Sequence, residues 1–446
     1  MSKILDAVSV VLTCGAEVFV IERQYFLKSF PGYWAFPGGK VEADDRGDLS
    51  HPLLSGLPPR LWGALVRELQ EELGIDVAAL LARGEVSSVH GLGVAVTPDF
   101  NPYRFATYFF RIHLAAKPTF IIDRNEARSA LWVDPKLHMQ RVDRGEILAV
   151  PPVVKVFRAL AENIGLEEIA DLNFQYDPQT QVPMIESLAG VRQFMPRSHT
   201  LPPASRTNCF HVGDSGAPQI LIDPSPCDRT ELELLFASLR DFSIDAVMLT
   251  HHHGDHHEHA PDLARHYNVP ILMSEDSHQR LLRIDPDYFS GIEVRHLTEG
   301  DVVSQWQGSP LRVVAVPGHD EGQLALMPDN RGWFLAGDLF QGIGTVVVGD
   351  EEGDMAKYMA TLEKVIALSP AVIFPSHGIG LGSTFILQKT LEHRREREGQ
   401  ILRLHRGGKS EDEILRTLYS DIPAGLLPYA RKNIRSHLVK ILKEMR

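Results

Sequence analysis

Cysteine is scarce in this chain. Its 446 residues hold three, Cys14, Cys209 and Cys227, which lie far apart and form no CxxC pair. That excludes a disulfide framework and points to a reducing compartment, so a soluble cytoplasmic protein is expected. Long apolar runs are also missing. The opening stretch MSKILDAVSVVLTC is interrupted by Ser9 and reads as a strand rather than a signal peptide, and no segment approaches the length of a membrane span. An excess of positive charge is absent too. The formal net charge of −13 argues against a general attraction to nucleic acid or membrane. The exception is local: Leu391 to Arg446 carries 13 Lys/Arg against 8 Asp/Glu. No internal repeat or low-complexity tract is present. What remains is ordinary globular composition, 44% hydrophobic and 23% charged, over a length that predicts about three domains.

Residues 6–23 read as two β-rich runs around a turn at Cys14-Gly15-Ala16. Residues 43–60 are polar and turn-rich, as an insertion would be. Leu61, Leu65, Leu69 and Leu73 have helical spacing, and Gly74 suits a helix C-cap. A strand is expected at 104–113 and a helix at about 151–163, opened by Pro151 and Pro152. Residues 164–200 lack clear periodicity and are expected to hold the domain boundary. From 207 onward, strand-like and helix-like runs alternate, which predicts layered α/β structure. Beyond 391 the text is helical and basic.

Two places carry chemistry. In RELQEELG, Glu68, Glu71 and Glu72 are spaced i, i+3, i+4, so three carboxylates leave one face of one helix. Such carboxylates repel one another unless a cation sits among them, and oxygen-only ligands favour Mg²⁺ or Mn²⁺. The upstream pair Gly38-Gly39 allows a loop to pack tightly against that helix. In THHHGDHHEHA, which follows the apolar strand IDAVMLT, alternate residues of an extended segment face the same way. His251 and His253 therefore share a face. Asp255 and His256 come after the Gly254 turn and reach a second point nearby. Three later segments repeat the pattern of strand then ligand: VVAVPGH ends in His319, WFLAGD in Asp338 and VIFPSH in His377, and upstream ILID ends in Asp223. That set is enough for two metals, and Zn²⁺ suits its many imidazoles. His252, His257 and His259 are expected to be exposed or to pack behind the ligands.

The first region resembles the Nudix box, in Gly39, Arg67, Glu68, Glu71, Glu72, Gly74 and Ile75. Asp45 stands at the loop position usually held by glutamate, and about 14 extra residues separate loop from helix. The stretches YWAFPGGKVEADD and RFATYFFRI look like the Nudix subgroup that cleaves coenzyme A and its acyl esters, although the separate coenzyme A signature of some relatives is not evident. The resemblance implies that Glu68, Glu71 and Glu72 bind metal, that Arg67 orients a glutamate, and that Glu126 is a candidate for a further ligand or base. The second region resembles the metallo-β-lactamase superfamily. That implies His251, His253 and His319 on one metal, Asp255, His256 and His377 on the other, Asp338 bridging, and Asp223 orienting a ligand histidine. Asp rather than cysteine at the bridging position is similar to the glyoxalase II and ribonuclease branches. TNCFHVG, PGHDEG, AGDLFQGIGT and EHRREREGQIL resemble the β-lactamase-like endoribonucleases, and the tail would then be winged-helix-like.

The expected architecture is multidomain α/β and α+β. It comprises a Nudix α/β/α sandwich at 1–165, a linker at 166–195, an αββα metallo-β-lactamase fold at 196–395 and a small helical winged-helix-like domain at 396–446. The expected function is a bifunctional hydrolase with two Zn at one site and Mg or Mn at the other. Its partner would be a small phosphorylated or thioester substrate, with coenzyme A or its esters the class that the Nudix resemblance implies. The alternatives are RNA cleavage by the zinc domain, with RNA contacting the basic tail, and one active domain regulated by the other. Substrate identity and oligomeric state are not encoded in local motifs.

Overall fold

A computed structural model describes residues 4–101, 104–349 and 352–445. Residues 1–3 of the opening run lie outside the described residues. The chain divides into two compact units, Met1–Tyr176 with Glu186–Ala189, and Asp177–Ile185 with Gly190–Arg446. The tail from 396 belongs to the second of these.

The first unit is built on a mixed sheet. β1 (Leu5–Cys14) pairs antiparallel with β2 (Glu17–Arg23) across the Gly15 turn, and parallel with β5 (Phe105–Leu114). With β3 (Trp34–Ala35) and β4 (Val86–Val96) the order is β3-β2-β1-β5-β4, and β6 (Ala127–Val133) adds to β2. α1 (Pro59–Leu73) starts two residues before the first periodic leucine, because a proline at the first helical position gives up only an N–H that has no partner there anyway. Leu61, Leu65, Leu69 and Leu73 are buried against β1 and its neighbours. Gly74 closes the helix at φ 66°, its N–H donating to the carbonyls of Gln70 and Leu69. α2 (Val77–Ala82), α3 (Pro135–Asp143) and α4 (Pro151–Glu162) complete the unit. α3 and α4 cover Val11, Val18 and Val20 in a second apolar cluster.

The second unit holds two sheets. One contains, in spatial order, Val294–His296, Ile271–Met273, Ala246–Met248, Ile220–Ile222, Cys209–Val212 and Val191–Phe194; the first four are mutually parallel. The other runs Val302–Trp306, Ser309–Ala315, Leu324–Pro328, Trp333–Leu335, Val372–Phe374 and Leu381–Gly382. Phe210 of one sheet meets Phe374 of the other edge-on, with ring centroids 5.7 Å apart. Helices Arg229–Ser238, Ala260–Tyr267 and Glu275–Ile284 bury apolar faces on the first sheet, and Met355–Leu368 and the start of Phe385–Arg406 on the second. The inner parallel strands Ile271–Met273, Ala246–Met248 and Ile220–Ile222 are short and buried throughout, which is why they read as continuous apolar runs, whereas Val294–His296 at the edge is half-buried to exposed.

The tail consists of Phe385–Arg406, Glu411–Leu418 and Leu427–Glu444, packed around Ile401, Ile414, Leu415 and Ile434. Among the described residues no strand follows Gly382, so this bundle carries no wing hairpin. The turn between its last two helices is a short 3₁₀ segment, Ala424–Leu426, which leaves no length for a pair of strands. No helix of the described residues is long and apolar enough to cross a membrane.

Candidate metal centres

In the second unit, the loop after Ala246–Met248 turns its side chains into a buried cluster. His251 Nε2 and His319 Nε2 each lie 3.0 Å from His253 Nδ1. A few ångströms away, His377 Nε2 is 3.4 Å from an Asp255 carboxylate oxygen, and His256 Nε2 is 3.9 Å from the other. Asp338 stands between the two groups. Its Oδ1 is 3.6 Å from His256 and 3.5 Å from His377, while its Oδ2 is 3.7 Å from His319. Three triads of these residues bring one ligand atom each within metal-chelating distance: His251, His253 and His319; Asp255, His256 and His377; and His251, His256 and Asp338.

The local chain explains how seven side chains reach one place. Each follows the end of a strand, and sites in layered α/β folds gather at such ends. His253 ends the extended segment, and the short helix Gly254–His257 redirects Asp255 and His256. Asp338 sits in a 3₁₀ turn entered through Gly337 at φ 57°, a left-handed conformation that glycine takes without strain.

Every ring is also fixed from behind, through the nitrogen that faces away from the cluster. His256 Nδ1 is 2.9 Å from Asp223 Oδ2, and Asp223 is itself held by the Thr250 N–H and hydroxyl at 2.7 and 2.6 Å. His251 Nδ1 meets the Thr250 hydroxyl at 3.0 Å, and His253 Nε2 meets Glu352 at 3.2 Å. His319 Nδ1 and His377 Nδ1 face the carbonyls of Val347 (2.7 Å) and Arg206 (3.0 Å). Such outer partners set ring orientation and tautomer in metal sites.

The donor set fits divalent cations. His256 Nε2 and Asp338 Oδ1 are buried and have no hydrogen-bond partner, a costly state unless a cation takes those lone pairs. Burial, then the neighbouring imidazoles, hold His251 well below its ordinary pKa. Burial and His253 push His319 down to about 4. Burial also opposes the charged form of His256, but Asp255, Asp223 and Asp338 outweigh it and raise its pKa. His252 points away from the cluster. It is buried, with Nδ1 2.6 Å from Asp320 Oδ2 and Nε2 3.6 Å from Glu352. His257 packs on the Tyr288 hydroxyl and His259 on Asp262. Spacing alone did not pick out Thr250, Asp320 or Glu352. The first two adjoin ligands and were visible in THHHGDHH and PGHDEG; Glu352 follows no pattern.

In the first unit, the glutamate face of α1 meets the glycine loop. A side chain at Gly39 would sit 2.4 Å from Glu68 Oε1, and one at Gly38 would strike the Val8 carbonyl at 2.1 Å. Without side chains there, the Gly38 N–H donates to Glu72 Oε2 at 3.1 Å. Arg67 ties the site together. It donates to Asp45 at 2.9 and 3.2 Å, to Glu68 at 2.8 Å, to Glu71 at 3.0 Å and to the Lys40 carbonyl at 2.8 Å. Asp45 thus keeps the ion pair to Arg67 with a shorter side chain, and burial of its carboxyl is outweighed by Arg67, which holds its pKa below the usual range. The three glutamates do not draw one oxygen each into a single tight triad among the described residues; Arg67 holds Glu68 and Glu71 to its own side. Glu72 is buried, and burial raises its pKa to about 8, with Glu68 and Glu126 adding to the rise and the Gly38 N–H and Arg23 opposing it. A buried carboxyl in that state, with Glu68 and Glu126 repelling its charged form, fits a divalent cation whose charge would relieve the repulsion.

Sequence comparisons match residues 3–149 to the NUDIX domain and residues 203–377 to the metallo-beta-lactamase superfamily. The chain carries a Nudix domain and a metallo-β-lactamase domain. Both families are hydrolases, and the chain is a hydrolytic enzyme. Among similar proteins, a beta-lactamase-like protein 2 homolog of Drosophila melanogaster is 29% identical over 254 residues, 53% of this chain and 82% of that protein. An atrochrysone carboxyl ACP thioesterase of Aspergillus fumigatus is 28% identical over 235 residues, 49% of this chain and 70% of that protein. A NUDIX hydrolase structure from Alicyclobacillus acidocaldarius is 26% identical, covers 36% of this chain and 93% of its own, and has a TM-score of 0.30. Families of both kinds typically bind divalent metals.

Proposed function

We propose that the metallo-β-lactamase domain hydrolyses a thioester and that the Nudix domain cleaves a diphosphate linkage, with coenzyme A or its esters as the substrate class that offers both bonds. The observation that carries the reading is the cluster of seven ligands, five of them imidazoles each fixed through its outer nitrogen. Similarity to a protein named as an acyl-carrier thioesterase supports a thioester over other esters. His251, His253 and His319 would hold one Zn²⁺, Asp255, His256 and His377 a second, and Asp338 would reach both, since its two oxygens face opposite groups. Divalent ions held there would supply an activated water and charge withdrawal at the carbonyl. Asp255 borders the cavity beside the cluster and is placed to hold the proton that the attacking water releases. In the Nudix domain, Glu68, Glu71 and Glu72 would hold Mg²⁺ or Mn²⁺, which neutralises charge on phosphate oxygens, while Arg67 and Asp45 fix the loop against α1.

The test is an assay of the purified full chain on acyl thioesters and on coenzyme A, each with Zn²⁺, Mg²⁺ or Mn²⁺. Thioester cleavage with about two zinc per chain is expected at one site, and Mg²⁺- or Mn²⁺-dependent diphosphate cleavage at the other. A chain that retains no zinc and cuts no thioester under any metal sinks the first half; no diphosphate cleavage sinks the second.

A further inference from the structure

A cavity of about 990 Å³ opens directly over the metal-ligand cluster, with His253, Asp255, His319 and Asp338 in its wall. It lies within the second unit, and its volume is that of a site for a whole small molecule. Part of its wall is formed by the tail. There Leu418, Tyr419, Ile422, Leu426 and Tyr429 contribute apolar side chains from the last two helices and the turn between them, beside the polar His393, Arg394, Arg397, Lys432 and Asn433. Leu426 remains 36% exposed, an apolar side chain facing open space beside a polar reaction centre.

The tail's positive charge does not offset this apolar surface. Arg431 and Arg435 pair with Glu411, Arg395 with Glu363, Lys440 with Glu398, Lys443 with Asp354 and Lys409 with Glu413. Of the arginines that reach the cavity, Arg394 is buried and donates to the Val346 carbonyl and to Asn433. Arg397 donates to the Leu418 carbonyl and lies 4.5 Å from the centroid of the Tyr419 ring. An RNA strand needs a row of cations free to displace counterions; Lys432 also lines the cavity, but most of the tail's cations are committed to carboxylates or carbonyls of this same chain.

We infer that the tail wall is an acyl-binding surface, so that the metal site takes thioesters of apolar acyl groups several carbons long rather than acetyl esters or RNA. This rests on the thioesterase reading above. The acyl chain lies along Leu418, Ile422 and Leu426, the carbonyl carbon faces the cluster, and the thiol departs toward the open mouth. Water attack breaks the C–S bond and forms a C–O bond, giving the carboxylic acid and the thiol with no further reactant.

The experiment uses the zinc-loaded full chain and a series of N-acetylcysteamine thioesters from acetyl to octanoyl. The expected result is a kcat/KM that climbs about tenfold or more along the series. The climb should flatten in Leu426→Asp, and in Thr345→Trp, which puts a bulky ring into the same cavity. Leu426 and Thr345 are both exposed, so neither change disturbs a packed core. Hydrolysis without chain-length dependence overturns the acyl wall and leaves the thioesterase standing. Absence of all thioester hydrolysis overturns the parent reading instead. Calorimetric titration with acetate, butyrate and octanoate then decides the wall alone: chain-length-dependent binding weakened by Leu426→Asp supports it, and no binding overturns it. A short single-stranded RNA that is cut and that competes with octanoate would also overturn it.

Discussion

His138 shows how a single side chain sets a pH limit for the Nudix domain. It lies on α3 and is 1% exposed, its ring 4.4 Å from Phe157 and 5.7 Å from Trp34 by centroid. Neither ring nitrogen has a hydrogen-bond partner. Burial, helped by Arg141, pushes its pKa down to about 4. The unfolded chain protonates the same imidazole near its ordinary value of about 6.5. Between those values the unfolded state binds a proton that the folded state refuses, so stability falls as the pH falls through that window. The expected loss between pH 7 and pH 5 is about 2 kcal/mol, and His138→Phe, which keeps an aromatic ring in the gap, should remove it. Hydrogen exchange of the α3 and α4 amides, corrected for intrinsic rates, measures this. An equal loss in wild type and variant would show that His138 is not the group responsible. The candidate ligands were the most legible residues in the sequence, because a metal needs several donors at one point and the strand-then-ligand pattern recurs at His319, Asp338 and His377. Their supports were less so. Two of the five outer partners are backbone carbonyls, of Val347 and Arg206, and a carbonyl leaves no trace in residue type.

At the scale of elements, the tail is tied to the reaction centre through one short segment. Arg394 of Phe385–Arg406 donates to the Val346 carbonyl at 2.6 Å, and Asn433 of Leu427–Glu444 accepts from the Val348 N–H at 3.0 Å. Arg394 and Asn433 also meet each other at 3.2 Å. Between these two anchors the Val347 carbonyl faces His319. The bundle therefore fixes the ring of a candidate ligand without touching it. Asn433→Ala removes an acceptor shared by two buried donors while leaving the apolar packing of the bundle in place. The expected outcome is unchanged helicity by circular dichroism and a zinc affinity about tenfold lower, read by competition with a chelator; an affinity equal to wild type would show that the clamp does not act on the metal. The helices themselves were legible from their periodicity. Their use was not, because a basic segment reads as a nucleic-acid surface until the partners of its charges are known: Glu398, Glu411 and Glu413 lie on other turns of the same bundle, and Glu363 and Asp354 come from elsewhere in the chain.

At the scale of the molecule, each unit closes its own apolar cores, the first around β1 and α1 and the second around its two sheets and its tail. A site supported by one set of cores need not feel a conservative change in the other. Glu72→Gln keeps the shape of the side chain and removes the carboxylate that would hold a cation; Asp255→Asn does the same at the other site. With octanoyl coenzyme A as substrate, the wild-type chain should release octanoate and then split the freed coenzyme A at its diphosphate. Glu72→Gln should stop at free coenzyme A. Asp255→Asn should leave the thioester whole and still yield the acylated phosphopantetheine fragment, with each lost activity down by a hundredfold or so. Chromatography of the products separates these patterns in one experiment. If either substitution abolished both cleavages, the two domains would be acting as one site, and the fusion would have to be read as regulation of one domain by the other.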